Sequence, residues 1–298
     1  MEQAQRRGSH HVRGLTPPDI RSPDAPRPGF TIGAVVLDLD GTVLDDKPSL
    51  HPRTRAAVRR AAQRVPVVIA TGRMYRSAQP WAKELGVDTP LVCYQGAIVR
   101  EYAGDGSLGE LLFACELDPA PALKTLAVAR NHNWHVNAYQ NDELICDQDR
   151  REAHLYAQIA GMPIHFVPNL EPVLERGSTK LVCVIEDDDE KRRCVDLMRQ
   201  ALGDSARVTW SLPMFVEIVD PRVSKARAVN LTLERLGAEL AGSIAIGDAP
   251  NDLEMLNAAG FAVAVRSAPA EVIDHVSASC EGPAAAGVAD VLEALLPS

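Results

Sequence analysis

The chain has 298 residues, 46% of them hydrophobic and 24% charged, with a formal net charge of -9 at neutral pH. That length accommodates two modest domains, or one domain carrying a large insertion. The acidic balance argues against a nucleic acid or an anionic membrane as partner, since either calls for a basic face. No apolar run approaches the roughly 18 residues that cross a bilayer, and the N-terminus lacks the apolar core of a secretory signal.

Residues 1–30 are rich in Arg, Pro and Gly without apolar periodicity, and are expected to form a disordered tail. The arginines would suit an organelle-targeting peptide, but Pro, Asp and Glu interrupt the amphipathic helix it needs. From Gly33 strands and helices alternate. "GAVVLDLD" reads as a buried strand, and "SLHPRTRAAVRRAAQR" as a helix with Ser49 as its candidate cap and an early proline. "VPVVIATG" is a second strand, "RMYRSAQPWAKELG" a helix ending at Gly86, and "PLVCY" a third strand. This rhythm predicts a doubly wound, Rossmann-like parallel sheet covered on both faces.

The rhythm breaks at "AIVREYAGDGSLGELLFACEL", which reads as a hairpin. Residues 117–219 alternate helices at 119–132, 150–160 and from "DDDEKRR" with strands "WHVNAYQ", "ELICD", 164–167, "TKLVCVIE", "ARVTW" and "MFVEIV". They are expected to be an α+β module inserted into a core made of 31–116 and 220–298. The core pattern then resumes with helix "SKARAVNLTLERLG", strand "SIAIGD", helix "PNDLEMLNAAG", strand "FAVAV" and two further helices. Six cysteines are scattered without a C-x-x-C pair, several inside apolar runs, which fits reduced thiols and a cytoplasmic setting.

Polar residues follow four of these strands: Asp38-Leu39-Asp40, Thr71-Gly72-Arg73, Gln95-Gly96 and Gly247-Asp248. Ligands collect beyond the carboxyl ends of such strands. In "DLDGT" the two carboxylates are two residues apart on extended chain and point the same way, so one can attack while the other handles a proton. An ordinary Asp-Gly turn would look the same in isolation. "GDAPND" could be no more than a helix start with Pro250 at its first position, yet with the Asp38 strand it supplies the oxygen ligands that Mg²⁺ prefers. Thr71 and the amides after it can cradle an anion, or Thr71 can simply cap a helix. Lys225, in the first turn of a helix capped by Ser224, sits at the positive end of the dipole, where a nearby anion would explain it. His132 and His135 match no zinc spacing and read as surface residues, while the tryptophans Trp81, Trp134 and Trp210 lack an interleaved basic pattern and read as packing residues.

"DLDGTVLDD", "ATGR", "VSKARAV" and "GDAPND" occur in the order of the four motifs of the haloacid dehalogenase-like (HAD) superfamily. From about Gly33 to the C-terminus the chain resembles its Cof-type phosphatases with a C2B cap. The resemblance implies that Asp38 is the nucleophile, forming an aspartyl-phosphate, and that Asp40 protonates the leaving alcohol and then activates water. Mg²⁺ would be held by Asp38, the Asp40 carbonyl and Asp248. Thr71, Gly72 and Asn251 would bind phosphate, Lys225 would neutralise charge on it and on Asp38, Asp252 would orient Lys225 or a metal-bound water, and Arg73 would meet substrate. The chain departs from the family where Asn-Gly-Ala is common, having Gln95-Gly96-Ala97, and where Gly-Asn-Ala is common, having Arg266-Ser267-Ala268.

The expected function is hydrolysis of a small phosphorylated metabolite, a sugar phosphate first, by a cytoplasmic monomer or homodimer. Three rivals are distinguishable. A phosphomutase would share the chemistry but need a bisphosphate, a metal-dependent glycosyltransferase would consume a nucleotide sugar, and a regulator would bind a phospholigand without turnover.

Overall fold

The computed structural model describes residues 16–45, 49–210 and 214–297. In chain order the first elements are β1 (Ala34–Leu37), α1 (Pro52–Ala62), β2 (Val67–Ile69), α2 (Tyr75–Leu85), β3 (Leu91–Cys93), β4 (Ile98–Arg100) and β5 (Leu111–Ala114). Then come α3 (Pro119–Asn131), β6 (His135–Gln140), β7 (Glu143–Cys146), α4 (Arg151–Ala160), β8 (Ile164–Phe166), α5 (Glu171–Leu174), β9 (Leu181–Val184), α6 (Asp188–Leu202), β10 (Arg207–Trp210) and β11 (Phe215–Val219). The chain closes with α7 (Lys225–Arg235), β12 (Ser243–Gly247), α8 (Leu253–Ala258), β13 (Phe261–Val265), α9 (Ala270–Ile273), β14 (Ala278–Cys280) and α10 (Gly287–Leu295).

The core is a parallel sheet of order β14-β13-β12-β1-β2. Its strands are fully buried apolar runs, as a sheet covered on both faces requires. Val35 and Leu37 of β1 face α1, α2 and α10, while Ala34 and Val36 face α7 and α8. Gly86, at φ +67°, ends α2 in the left-handed conformation its sequence foretold. β3 joins the core through a parallel bridge from Ala70 to Val92 and then leads into an antiparallel β3-β4-β5 ribbon.

The six-stranded sheet, order β10-β11-β9-β6-β7-β8, is drawn wholly from residues 117–219. One face packs under α3, α5 and α6. The other turns Tyr139, Val182, Val184 and Phe215 into the same apolar cluster as Tyr75 and Tyr94 of the core, with Tyr156 of α4 beside them.

Besides His135, expected on the surface but buried in β6 with its Nε2 2.8 Å from Asn137 Oδ1, three expectations need correction. Ser49 does not cap α1: His51 does, its Nδ1 accepting the Arg53 amide at 3.2 Å, because Pro52 is the first helical residue, and Ser49 instead binds Asp45. β14 is an additional strand, whose "ASC" is too short and too weakly apolar to stand out in the sequence. The third concerns the segment assigned to a disordered tail, of which residues 1–15 lie outside the described residues. Residues 17–20 lie along β14, with the Ile20 amide donating to the Ser279 carbonyl at 2.8 Å and the Ser279 amide to Pro18 at 2.9 Å. Ile20 is fully buried in the core cluster, an anchor that a lone apolar residue among prolines does not advertise. Arg266, at one of the departures from the family pattern, binds Asp19 and Glu281 and so clamps this segment.

Ile20→Ala is expected to lower unfolding free energy by about 2–4 kcal/mol, the range for emptying a buried aliphatic site. A urea midpoint unchanged from wild type would show that the segment does not contribute to stability.

Candidate active site

Strand order reverses between β1 and β12, which opens a crevice beyond their carboxyl ends. Leu37 is in register with Ile246 on one side and Ile69 on the other, so Asp38, Asp248 and Thr71 emerge at the same end of the sheet. The Asp38 amide still donates to the Ile246 carbonyl at 3.0 Å. Gly41 then turns at φ +87°, and a Cβ there would stand 2.2 Å from Asp248 Oδ2. Only glycine lets the two loops approach this closely. The Thr42 hydroxyl fixes Asp248 by donating to Oδ1 at 2.7 Å.

Carboxylate oxygens of Asp38, Asp248 and Asp252 lie within 4.8 Å of one another. Lys225 enters this cluster from the first turn of α7, its Nζ donating to Asp38 Oδ1 and to Asp252 Oδ1, each at 2.6 Å. Its side chain is 1% exposed. Burial works against the ammonium, but Asp252 and Asp38 outweigh it and hold Lys225 above the usual lysine value. Burial pushes the Asp38 carboxyl well up, against the pull of Lys225 and with Asp252 and Asp248 adding to the rise. Asp248 is likewise raised by burial, to about 6, with the Thr42 hydrogen bond opposing.

The remaining expected residues are arranged differently. Asp40 is half exposed and is gripped by Arg73, with Nε to Oδ2 at 2.8 Å and Nη2 to Oδ1 at 2.5 Å. The Arg73 guanidinium lies 5.9 Å from the Trp81 ring centre. Thr71 is buried and accepts the Arg73 amide at 3.2 Å. It is not the N-cap of α2, which is Met74, without a capping side chain of its own. The first amides of that helix are met instead by Asp142 from the turn between β6 and β7. Gly72 is half-buried, 3.5 Å from Gln95 Nε2 at its Cβ position. Asn251 is exposed, and no hydrogen bond among the described residues draws it toward Asp38 or Lys225.

Thr42, Asp142 and Glu217 join the site without having been expected there, and Gln95, expected only as a polar strand end, reaches further than its neighbours. Gln95 donates to Glu217 of β11 at 3.1 Å, and Glu217 pairs with the buried Lys180 at 3.2 Å. The extra methylene of Gln over the family's usual Asn was the available signal for a residue that reaches into the insert.

The donor set fits a divalent cation. Three carboxylates surround one ammonium, and Asp38 and Asp248, raised first by burial, are raised further by the carboxylates beside them. Asp252 has little left to give, since Oδ1 accepts Lys225 and Oδ2 accepts the amides of Asp248 and Ala249, both at 3.1 Å. Asp38 and Asp248 are therefore the better ligands.

The sequence model of the haloacid dehalogenase-like hydrolases matches residues 35–292. The chain belongs to that family. The fold of this HAD hydrolase, inserted α+β domain included, is similar to that of a subclass IIB structure, with a TM-score of 0.72 at 16% identity. The chain is 28% identical to a phosphoglycolate phosphatase of Archaeoglobus fulgidus over 89% of this chain and 98% of that one. Identity to a pyridoxal phosphate phosphatase of Escherichia coli is 27%, over 80% of this chain and 89% of that one. A crystal structure from Thermotoga maritima superposes with a TM-score of 0.78 at 28% identity, covering 88% of this HAD hydrolase and 97% of its counterpart.

Carboxyls with raised pKa hold protons longer folded than unfolded, so they stabilise the metal-free protein as pH falls through about 6 and cease to as it rises. Divalent cations are therefore expected to raise the melting temperature more at pH 7.5 than at pH 5, where protons occupy the same oxygens. Equal shifts at both pH values, or none, would locate metal binding elsewhere.

Proposed function

We propose that this HAD hydrolase is a Mg²⁺-dependent phosphatase that hydrolyses a small phosphorylated metabolite through an aspartyl-phosphate on Asp38. The observation that carries the reading is the buried Lys225 bridging Asp38 and Asp252 beside Asp248, four side chains from three separate segments on one crevice. With Oδ1 of Asp38 held by Lys225, Oδ2 is the oxygen available to attack phosphorus. Lys225 keeps that carboxylate ionised against burial and offsets charge on the phosphoryl oxygens. Bound between Asp38, the Asp40 carbonyl and Asp248, the cation would supply the further positive charge that clustered carboxylates and a phosphoryl group need.

In the first step a bond forms from Asp38 to phosphorus, the bridging P–O bond breaks, and Asp40 gives its proton to the departing alcohol. In the second, Asp40 takes a proton from water, whose oxygen attacks phosphorus and frees Asp38 with release of phosphate. Arg73 occupies Asp40 at rest. An incoming phosphate competes for that guanidinium, and Asp40 is then released to serve the leaving oxygen. Thr71 and the Gly72 amide are the other phosphate contacts, and Asn251 has to turn inward to be one.

A sugar phosphate is the favoured substrate. The insert turns a buried Lys180–Glu217 pair toward Gln95, beside the phosphate side of the crevice. Such a donor and acceptor set suits hydroxyl groups. Relatives named for phosphoglycolate and pyridoxal phosphate act on other small phosphate esters, which supports the size class. All six cysteines are buried and unpaired, which supports a reducing, cytoplasmic setting.

Asp38→Asn is expected to abolish hydrolysis of p-nitrophenyl phosphate while the protein stays folded; retained turnover would remove Asp38 as nucleophile. Asp40→Asn should lower kcat by about 100-fold or more, the scale of general acid–base catalysis, with inhibition by phosphate no weaker, since Arg73 is then freer to meet it. A screen of phosphorylated metabolites with Mg²⁺ tests the substrate class, and a preference for aromatic cofactor phosphates over sugar phosphates would reverse it.

A further inference from the structure

α2 begins immediately after the Thr71–Arg73 loop, yet its own sequence supplies no side chain to its first amides. A helix start left in this way exposes unsatisfied N–H groups and the positive end of the dipole. The missing group comes from the inserted domain. Asn141 and Asp142 form the two-residue turn between Gln140 and Glu143, at φ +52° and +62°. That pairing of positive angles is the type I′ hairpin geometry, for which Asn and Asp are suited. It aims Asp142 away from its own sheet and into the core.

There Oδ1 accepts the Tyr75 amide at 2.8 Å and the Tyr94 hydroxyl at 2.9 Å, and Oδ2 accepts the Arg76 amide at 2.8 Å. The carboxylate is almost completely buried, with the Arg76 guanidinium 3.9 Å away. The two core segments it grips are already laced together, since the Tyr94 amide donates to the Arg73 carbonyl and the Gln95 amide to the Thr71 carbonyl, each at 3.0 Å. Tyr94 and Gln95 both hold positive φ, 51° and 61°, a conformation that side-chain-bearing residues keep only where their surroundings impose it.

We infer that Asp142 is a positioning residue through which the inserted domain sets the geometry of the Thr71–Arg73 loop, so that phosphate binding depends on the insert being seated. This rests on the reading of that loop as a phosphate contact. Asp142 touches neither substrate nor the Asp38 cluster; it acts through the start of α2 and through Tyr94. An amide at the same place offers one acceptor oxygen instead of two, so Asp142→Asn keeps part of the grip and Asp142→Ala none.

The test compares wild type, Asp142→Asn, Asp142→Ala and Tyr94→Phe, all as full chains with Mg²⁺. It measures inhibition of p-nitrophenyl phosphate hydrolysis by inorganic phosphate and hydrogen exchange at the Tyr75 and Arg76 amides. The expected result is exchange faster by about tenfold or more in Asp142→Ala, with its phosphate inhibition constant raised about tenfold. Asp142→Asn falls between that variant and wild type, and Tyr94→Phe shows a smaller rise. If Asp142→Ala does not fold, inhibition constants rising in the order wild type, Tyr94→Phe, Asp142→Asn support the inference equally. Deprotected amides with inhibition constants within about twofold of wild type in every folded variant would reduce Asp142 to a structural tie and overturn the inference alone. A wild-type enzyme that turns over but is not inhibited by phosphate would overturn the loop reading, and this inference with it.

Discussion

Three carboxylates crowded at the end of a buried sheet, with a single lysine among them, are the constraint around which this molecule is arranged. When all are ionised the crevice carries two more negative charges than positive. Without Lys225 the fold would bear an uncompensated buried charge of the kind that destabilises by several kcal/mol. The sheet order puts these groups together, and Gly41 permits the contact between their loops. A lysine at the unfavourable end of its own helix is tolerated because the carboxylates more than offset the dipole. The remaining negative charge is what a cation and a phosphate ester together can use.

The two parts of the chain divide the work along this line. The parallel core holds the groups proposed to act on phosphorus, positioned by strand register and therefore stiff. The inserted sheet covers one face with its own helices and offers the other to the core, where Lys180, Glu217 and Asp142 meet Gln95, Tyr94 and α2. These buried polar contacts are set within an apolar boundary and are geometrically demanding. Such contacts transmit position better than a smooth apolar boundary alone would.

The features legible in the sequence are those written locally. Runs such as "AVVL" and "SIAIG" announce buried parallel strands, Gly86 announces a helix end, and "DLDGT" with "GDAPND" announces acidic strand ends. The conflict of Lys225 with its helix dipole pointed to a nearby anion, and the anions are Asp38 and Asp252. What stays hidden depends on partners far along the chain. Met74 gives no sign that the cap of α2 lies near residue 142, and Thr71 is equally open to being that cap. Asp142 itself looks like half of an ordinary Asn-Asp turn. Ile20 sits among prolines and charges, where its only distinguishing property is that a distant strand, itself too short to recognise, has room for it. Asp40 is expected beside Asp38 in role, and its grip by Arg73 cannot be read from spacing on either strand.

The N-terminal segment along β14 has a further consequence. β14 is the outermost strand of the parallel sheet, and residues 17–20 are what occupy its outer backbone groups. An unoccupied edge of this kind is a template for pairing with another molecule. Trimming the chain to the boundary suggested by family resemblance, near residue 31, would leave every catalytic candidate in place and uncover that ladder. The damage would surface as self-association during expression and storage before any of it was seen in turnover, so this segment belongs to the colloidal behaviour of the enzyme as much as to its fold.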